Sequence, residues 1–138
     1  MTKKEFLNQA FFLDRRIQSK ERQLAALRAH AVYTTPQIDE AVVTSPSVKS
    51  HMEETAVKII ELEEVIASQI AELLELKKMI AEVIRGVGNV EYETLLEMRY
   101  LSFMGWKEIA ARLGYSGKYV FEVHGRALHL VTIPDRVL

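Results

Sequence analysis

The chain contains no cysteine. That absence excludes disulfides, zinc-thiolate centres, iron–sulfur clusters and cysteine nucleophiles, and with them a small secreted disulfide scaffold. Glycine and proline are scarce, six and three among 138 residues, so the elements should be few and long. No uncharged run approaches the roughly 18 residues needed to span a bilayer. The N-terminal Met-Thr-Lys-Lys-Glu-Phe leads into a charged helical pattern, not into the apolar stretch of a signal peptide. A cytoplasmic protein is expected, with no membrane partner. A charge excess is missing too: 18 Lys and Arg against 19 Asp and Glu leave a net charge of −1. Taken as a total, this lacks the basic footprint usual in nucleic-acid binders. What is abundant is apolar character, 49% of residues, enough for a buried core and too much for wholesale disorder.

From Lys3 to about Val32 there is no Gly or Pro, and apolar residues recur with 4-3 spacing. Phe6, Ala10, Leu13, Ile17, Leu24, Leu27 and Ala31 form a seam that only Lys20 interrupts. This is a helical period close to that of a coiled coil. Residues 34–51 differ in kind, with Pro36, Pro46 and the run Thr44-Ser45-Pro46-Ser47, and are expected to be a long connector. A second long helix is predicted from about Met52 to Arg85. Its seam runs from Ile59 through Leu62, Ile66, Leu73, Leu76 and Ile80 to Val83, with Gln69 as its one polar break, and Gly86 and Gly88 stop it. The charge total hides an asymmetry. Residues 1–33 carry 7 basic and 3 acidic side chains, residues 34–88 carry 5 and 10, and residues 89–138 carry 6 and 6. A basic helix and an acidic helix with matching seams predict an antiparallel hairpin over 1–88; the same seams could also join subunits, with a dimer the first expectation.

After Gly88 the pattern shortens. Helices are predicted over Val90 to about Phe103, Trp106 to Leu113, and from Ser116, as N-cap, to about Leu130. The last two have helix-turn-helix spacing. Ala110 is small where two helices would cross. Gly114, four residues later, suits a left-handed turn, while Ile109, Leu113, Val120 and Val123 supply the shared core. The fold class expected is therefore all-α: a long helical hairpin at 1–88 followed by a small helix-turn-helix bundle at 89–138.

Three stretches, Leu-Leu-Glu-Met-Arg-Tyr-Leu at 95–101, Trp-Lys-Glu-Ile-Ala-Ala-Arg-Leu-Gly-Tyr-Ser at 106–116 and Val-His-Gly-Arg-Ala-Leu at 123–128, together resemble region four of bacterial sigma factors. More closely, the chain resembles phage and prophage transcriptional activators of the ArpU/RinA type, in which a sigma-like helix-turn-helix follows a long helical region. The segment 57–80 is similar to the second helix of that group. The resemblance implies a regulator of late phage genes that reads duplex DNA with its last helix, Ser116–Leu130, and works with RNA polymerase in the bacterial host. Carried across, it makes Ser116, Lys118, Tyr119, Phe121, Glu122 and Arg126 the exposed positions of the reading helix. Trp106, Lys107 and Arg112 are placed to meet flanking phosphates. Lys118 and Arg126 would meet phosphate or guanine, and Tyr119 and Phe121 thymine methyls. The chain departs from the pattern at Gly117, where Arg or another polar residue is usual. Residues 106–130 hold 4 basic and 2 acidic side chains, a net of +2, so a second subunit or polymerase is expected to help hold the DNA.

Blander roles stand beside these. Tyr100 and Trp106 fit core packing better than base stacking, and Phe121 suits a base contact and an interface about equally. His124 and His129 are five apart and do not share a helix face well, so no metal is expected there. His30 and His51 flank the connector and are expected on the surface. The acidic run Glu61, Glu63, Glu64, Glu72 and Glu75 lies mostly opposite the seam, as a solvated face does. No Walker-type loop, GxSxG or HExxH is present, and no catalytic constellation, cofactor or enzyme activity is expected. Two other readings share the helix-turn-helix pattern: a small terminase-type DNA-packaging adaptor, and a helical protein-interaction module without DNA binding.

Overall fold

The computed structural model describes residues 1–34 and 46–135. Every regular element in them is a helix: α1 Lys3–Leu7, α2 Gln9–Thr34, α3 Pro46–Arg85, α4 Val90–Tyr100, α5 Trp106–Leu113 and α6 Gly117–His129. The all-α class follows directly. Most of the proposed connector, 35–45, lies outside the described residues.

Local chemistry accounts for most of the boundaries. Thr2 opens α1 with a reciprocal cap: its hydroxyl accepts from the Glu5 N–H at 3.1 Å, and the Glu5 carboxylate accepts from the Thr2 N–H at 3.2 Å. The predicted single helix over 3–32 is interrupted at Asn8, where the Gln9 side-chain amide donates to the Phe6 carbonyl at 3.0 Å. That carbonyl is the one an unbroken helix would offer to residue 10. The second long helix begins at Pro46, six residues before the expected Met52. Proline is at home in a first turn, because its missing N–H would have no partner there. The sequence signal for a connector was therefore partly a helix start. Arg85 closes α3 as expected, with the Gly86 N–H returning to the Glu82 and Val83 carbonyls at 3.2 Å each.

Asn89 caps α4 by accepting from the Tyr92 N–H at 3.1 Å, and Glu91 and Glu93 face the positive end of its dipole. The helix stops at Tyr100 and not near Phe103. Past Leu101 the chain turns, and Phe103 takes a left-handed conformation at φ +57°. For a residue with a Cβ this costs on the order of 1–2 kcal/mol. Its ring is held edge-on by Phe11 at 5.8 Å, with the Lys77 ammonium 4.8 Å from its centroid, contacts that offset the strain.

The chain divides into two compact units, residues 1–14 with 72–138, and residues 15–71. Phe6, Leu7, Ile80 and Ile84 are wholly buried and contribute to the unit that holds α4, α5 and α6. In that unit α4, α5 and α6 pack against one another in all three pairs, burying Leu95, Leu96, Tyr100, Ile109, Ala110, Val120, Val123 and Ala127. Each large apolar side chain so removed from water contributes about 1.5–3 kcal/mol against the cost of ordering the chain. The other unit buries Ile17, Leu24 and Ile66. There Arg28 of α2 meets Glu63 of α3 at 3.1 Å, an exposed pair of the basic-to-acidic kind that the charge asymmetry anticipates. Exposure limits it to below about 1 kcal/mol. Gln69, the polar break in the α3 seam, has a buried Oε1 with no hydrogen-bond partner among the described residues.

Candidate nucleic-acid interface

Between α5 and α6 the chain turns in three residues, and the turn is built by backbone hydrogen bonds. Gly114 sits at φ 70° and ψ 29°, the left-handed region where a Cβ is penalised. Its N–H reaches back to the Ala111 carbonyl at 3.4 Å, and the Tyr115 N–H to the Ala110 carbonyl at 2.8 Å. Two carbonyls at the end of α5 are thereby satisfied. Ser116 then caps α6, its hydroxyl accepting from the Tyr119 N–H at 3.0 Å. Gly114, Ser116 and the core positions Ile109, Ala110, Val120 and Val123 all fall where the spacing put them.

Helix α6 has two clear sides. Val120, Val123, His124 and Ala127 are buried, and Lys118, Glu122, Gly125, Arg126 and His129 are exposed. Positions 118, 122, 125 and 129 follow helical spacing and make one outward stripe. Glu122 and Arg126 border a shallow groove with Tyr92, Gly125, His129 and Leu130. Lys107, Trp106 and Phe121 border another, between α5 and α6, with Gly117 and Val120. Of the anticipated residues, Glu122 and Arg126 border one groove and Trp106, Lys107 and Phe121 the other, while Arg112, Ser116, Lys118 and Tyr119 border neither. Gly125, His129 and Tyr92 were not among them. The first two were legible as the i+7 and i+11 continuation of Lys118; Tyr92 comes from another helix and left no such trace.

Several anticipated residues already have work within the unit. Trp106 is half-buried, its ring 4.4 Å from that of His124 and 5.3 Å from that of Phe121, with the Arg99 guanidinium 4.5 Å from its centroid. It packs, as the blander reading held, and it braces Phe121, which is still 53% exposed. Arg112 pairs with Glu108 one turn back at 3.1 Å. The Tyr119 ring stands edge-on to Tyr115 at 4.9 Å. Tyr115 in turn donates to the Glu91 carboxylate; partial burial and then that carboxylate push its phenol up to about 12.

A buried polar pair ties α6 to α4. Tyr100 Oη and His124 Nε2 lie 2.6 Å apart, and both residues are almost fully buried. Burial pushes the Tyr100 phenol up to about 12 although Arg99 pulls the other way. Burial first, then the charges of Lys4 and Arg99, hold His124 down at about 4. Both partners are therefore neutral at physiological pH. The imidazole is thus a hydrogen-bonded core group.

No group of three or more His, Asp or Glu side chains is clustered for a metal ion among the described residues. No helix among them is long and apolar enough to cross a membrane. Fold and site together define an all-α protein whose last three helices form one packed unit and expose a mixed polar stripe on the final helix. Residues 32–131 match the family described as "Protein of unknown function (DUF1492)", and the chain belongs to that family. No curated protein and no solved structure matches it.

Proposed function

We propose that this chain is a non-enzymatic, phage-derived regulator of transcription, of the late-gene activator type, that binds duplex DNA through α6. The observation that carries the reading is the exposed side of α6, with Lys118 and Arg126 outward, on a helix joined to α5 by a three-residue turn that begins at Gly114. Helix-turn-helix proteins present a major-groove helix in this way. Ser116 uses its oxygen as the cap acceptor and keeps its O–H to donate to a phosphate, beside the N–H groups at the positive end of the helix. Lys107 adds a cation on α5. Glu122 on the same stripe would accept from a cytosine amino group. The net of +2 over residues 106–130 makes a lone subunit a weak binder, so a homo-oligomer held by the N-terminal helices, or RNA polymerase, completes the affinity. The protein would act in the cytoplasm of the bacterial host.

The test is fluorescence anisotropy of a labelled duplex taken from upstream of the gene, measured at several salt concentrations. Binding should weaken steeply with salt. Lys118→Ala with Arg126→Ala should lower affinity and flatten the salt slope by roughly one for each phosphate that is no longer neutralised. Unchanged binding by the double variant would remove α6 as the reading helix. Absence of salt-dependent binding would leave a protein-interaction module.

A further inference from the structure

We propose that His30 and His51 form a two-histidine site for a divalent transition-metal ion such as zinc, which clamps α2 to α3. The inference is independent of DNA binding. The two residues are 21 positions apart and come from different helices of the same unit, yet their Nε2 atoms lie 3.5 Å from each other. The ring centroids are 5.7 Å apart. The nitrogens are thus 2.2 Å closer than the ring centres, so they face each other. The planes stand at 87°.

This spacing is long for a hydrogen bond and close to that of two ligands on one ion. A good N–H donor bond closes to about 2.7–3.2 Å, so 3.5 Å makes a poor hydrogen bond. Two imidazoles sharing one tetrahedral zinc, with Zn–N bonds of about 2.0–2.1 Å, hold their nitrogens about 3.3–3.4 Å apart. The pair needs to close by only a tenth or two of an ångström to meet that geometry. Both residues are exposed, which gives the ion an entry path. On one side Ala31, Met52, Ala56 and Ile59 line a cavity of about 120 Å³. A mostly apolar wall of this kind lowers the local dielectric and strengthens the bond to a cation. The Thr55 hydroxyl donates to the His51 carbonyl at 3.0 Å and steadies the turn that carries it. Among the described residues no third His, Asp or Glu joins the pair. Occupancy would close the chain between residues 30 and 51 into a metal-held loop.

The experiment is calorimetric titration of zinc chloride into the full-length protein after removal of metal by chelator. Histidine-selective nitrogen NMR and sedimentation velocity are run on the same samples. One zinc per chain should bind, with the Nε2 resonances of His30 and His51 shifting together and the protein's mass unchanged. His30→Ala and His51→Ala should each weaken binding at least tenfold, while their unfolding midpoints in chelator match wild type. Wild-type affinity no greater than that of a variant combining His30→Ala with His51→Ala would overturn the proposal. So would dimerisation in step with zinc, which would put the metal between copies.

Discussion

Acidification should destabilise the unit that holds α6 through one residue, His124. Its imidazole is 7% exposed, bonded to Tyr100 Oη at 2.6 Å, and held neutral down to about pH 4. In the unfolded chain the same group takes up its proton near 6.5. Between those two values the unfolded state binds one proton more than the folded state, so stability falls as pH falls. The contribution is fully present above about 6.5 and is lost progressively toward 4. A drop from 6.5 to about 4 corresponds to a ceiling of about 3 kcal/mol, and roughly 2 kcal/mol after allowing for partial solvent screening. Urea unfolding followed by circular dichroism from about pH 7.5 to 4.5 measures it. The carboxylates titrate over the same range, so the comparison is with His124→Gln, which keeps a polar side chain and removes the titration. Wild type should lose about 2 kcal/mol more than the variant across that interval. Tyr100→Phe should cost about 1–3 kcal/mol at neutral pH, because it leaves a buried ring nitrogen without a partner. If wild type and His124→Gln lose stability in parallel, His124 is not held neutral by burial and the reasoning fails.

Gly114→Ala should destabilise by about 1–2 kcal/mol, since φ 70° penalises a Cβ although open space surrounds it; a neutral result in urea would show that the turn adopts another conformation in solution. Gln69→Leu should stabilise by about 1 kcal/mol, because the buried Oε1 has no partner to lose. A destabilised variant would mean that this oxygen is bonded in solution, to water or to another subunit. The anisotropy series for Lys118 and Arg126 and the zinc titration of His30 and His51 test the interface and the clamp separately, since the two pairs belong to different units.

How far residues alone carried these conclusions differs by region. The C-terminal helices were legible because their boundaries are set within a few residues: Asn89 and Ser116 accept from N–H groups three positions on, and Gly114 takes the conformation a Cβ resists. The start of α3 was misplaced because Pro46 reads as a breaker in a serine-rich setting and as a good first residue once a helix forms behind it. The division into units was hidden for a different reason. The 4-3 seam continues on both sides of Lys20 from Phe6 to Ala31, and a period states which face is apolar but not what covers it.

Absence of cysteine, scarcity of breakers and two long heptad-like seams determined the all-α class, because helix periodicity and capping act over a few residues. They also separated the hidden charges into a basic helix, an acidic helix and a balanced C-terminal segment. Tertiary structure decided what no local pattern encodes. It sent Trp106 to brace Phe121, paired Tyr100 with His124 across 24 positions, and brought His30 to His51 across 21. Such contacts depend on how helices pack after they form, and packing is settled by the fit of whole faces rather than by the spacing of residues along one of them.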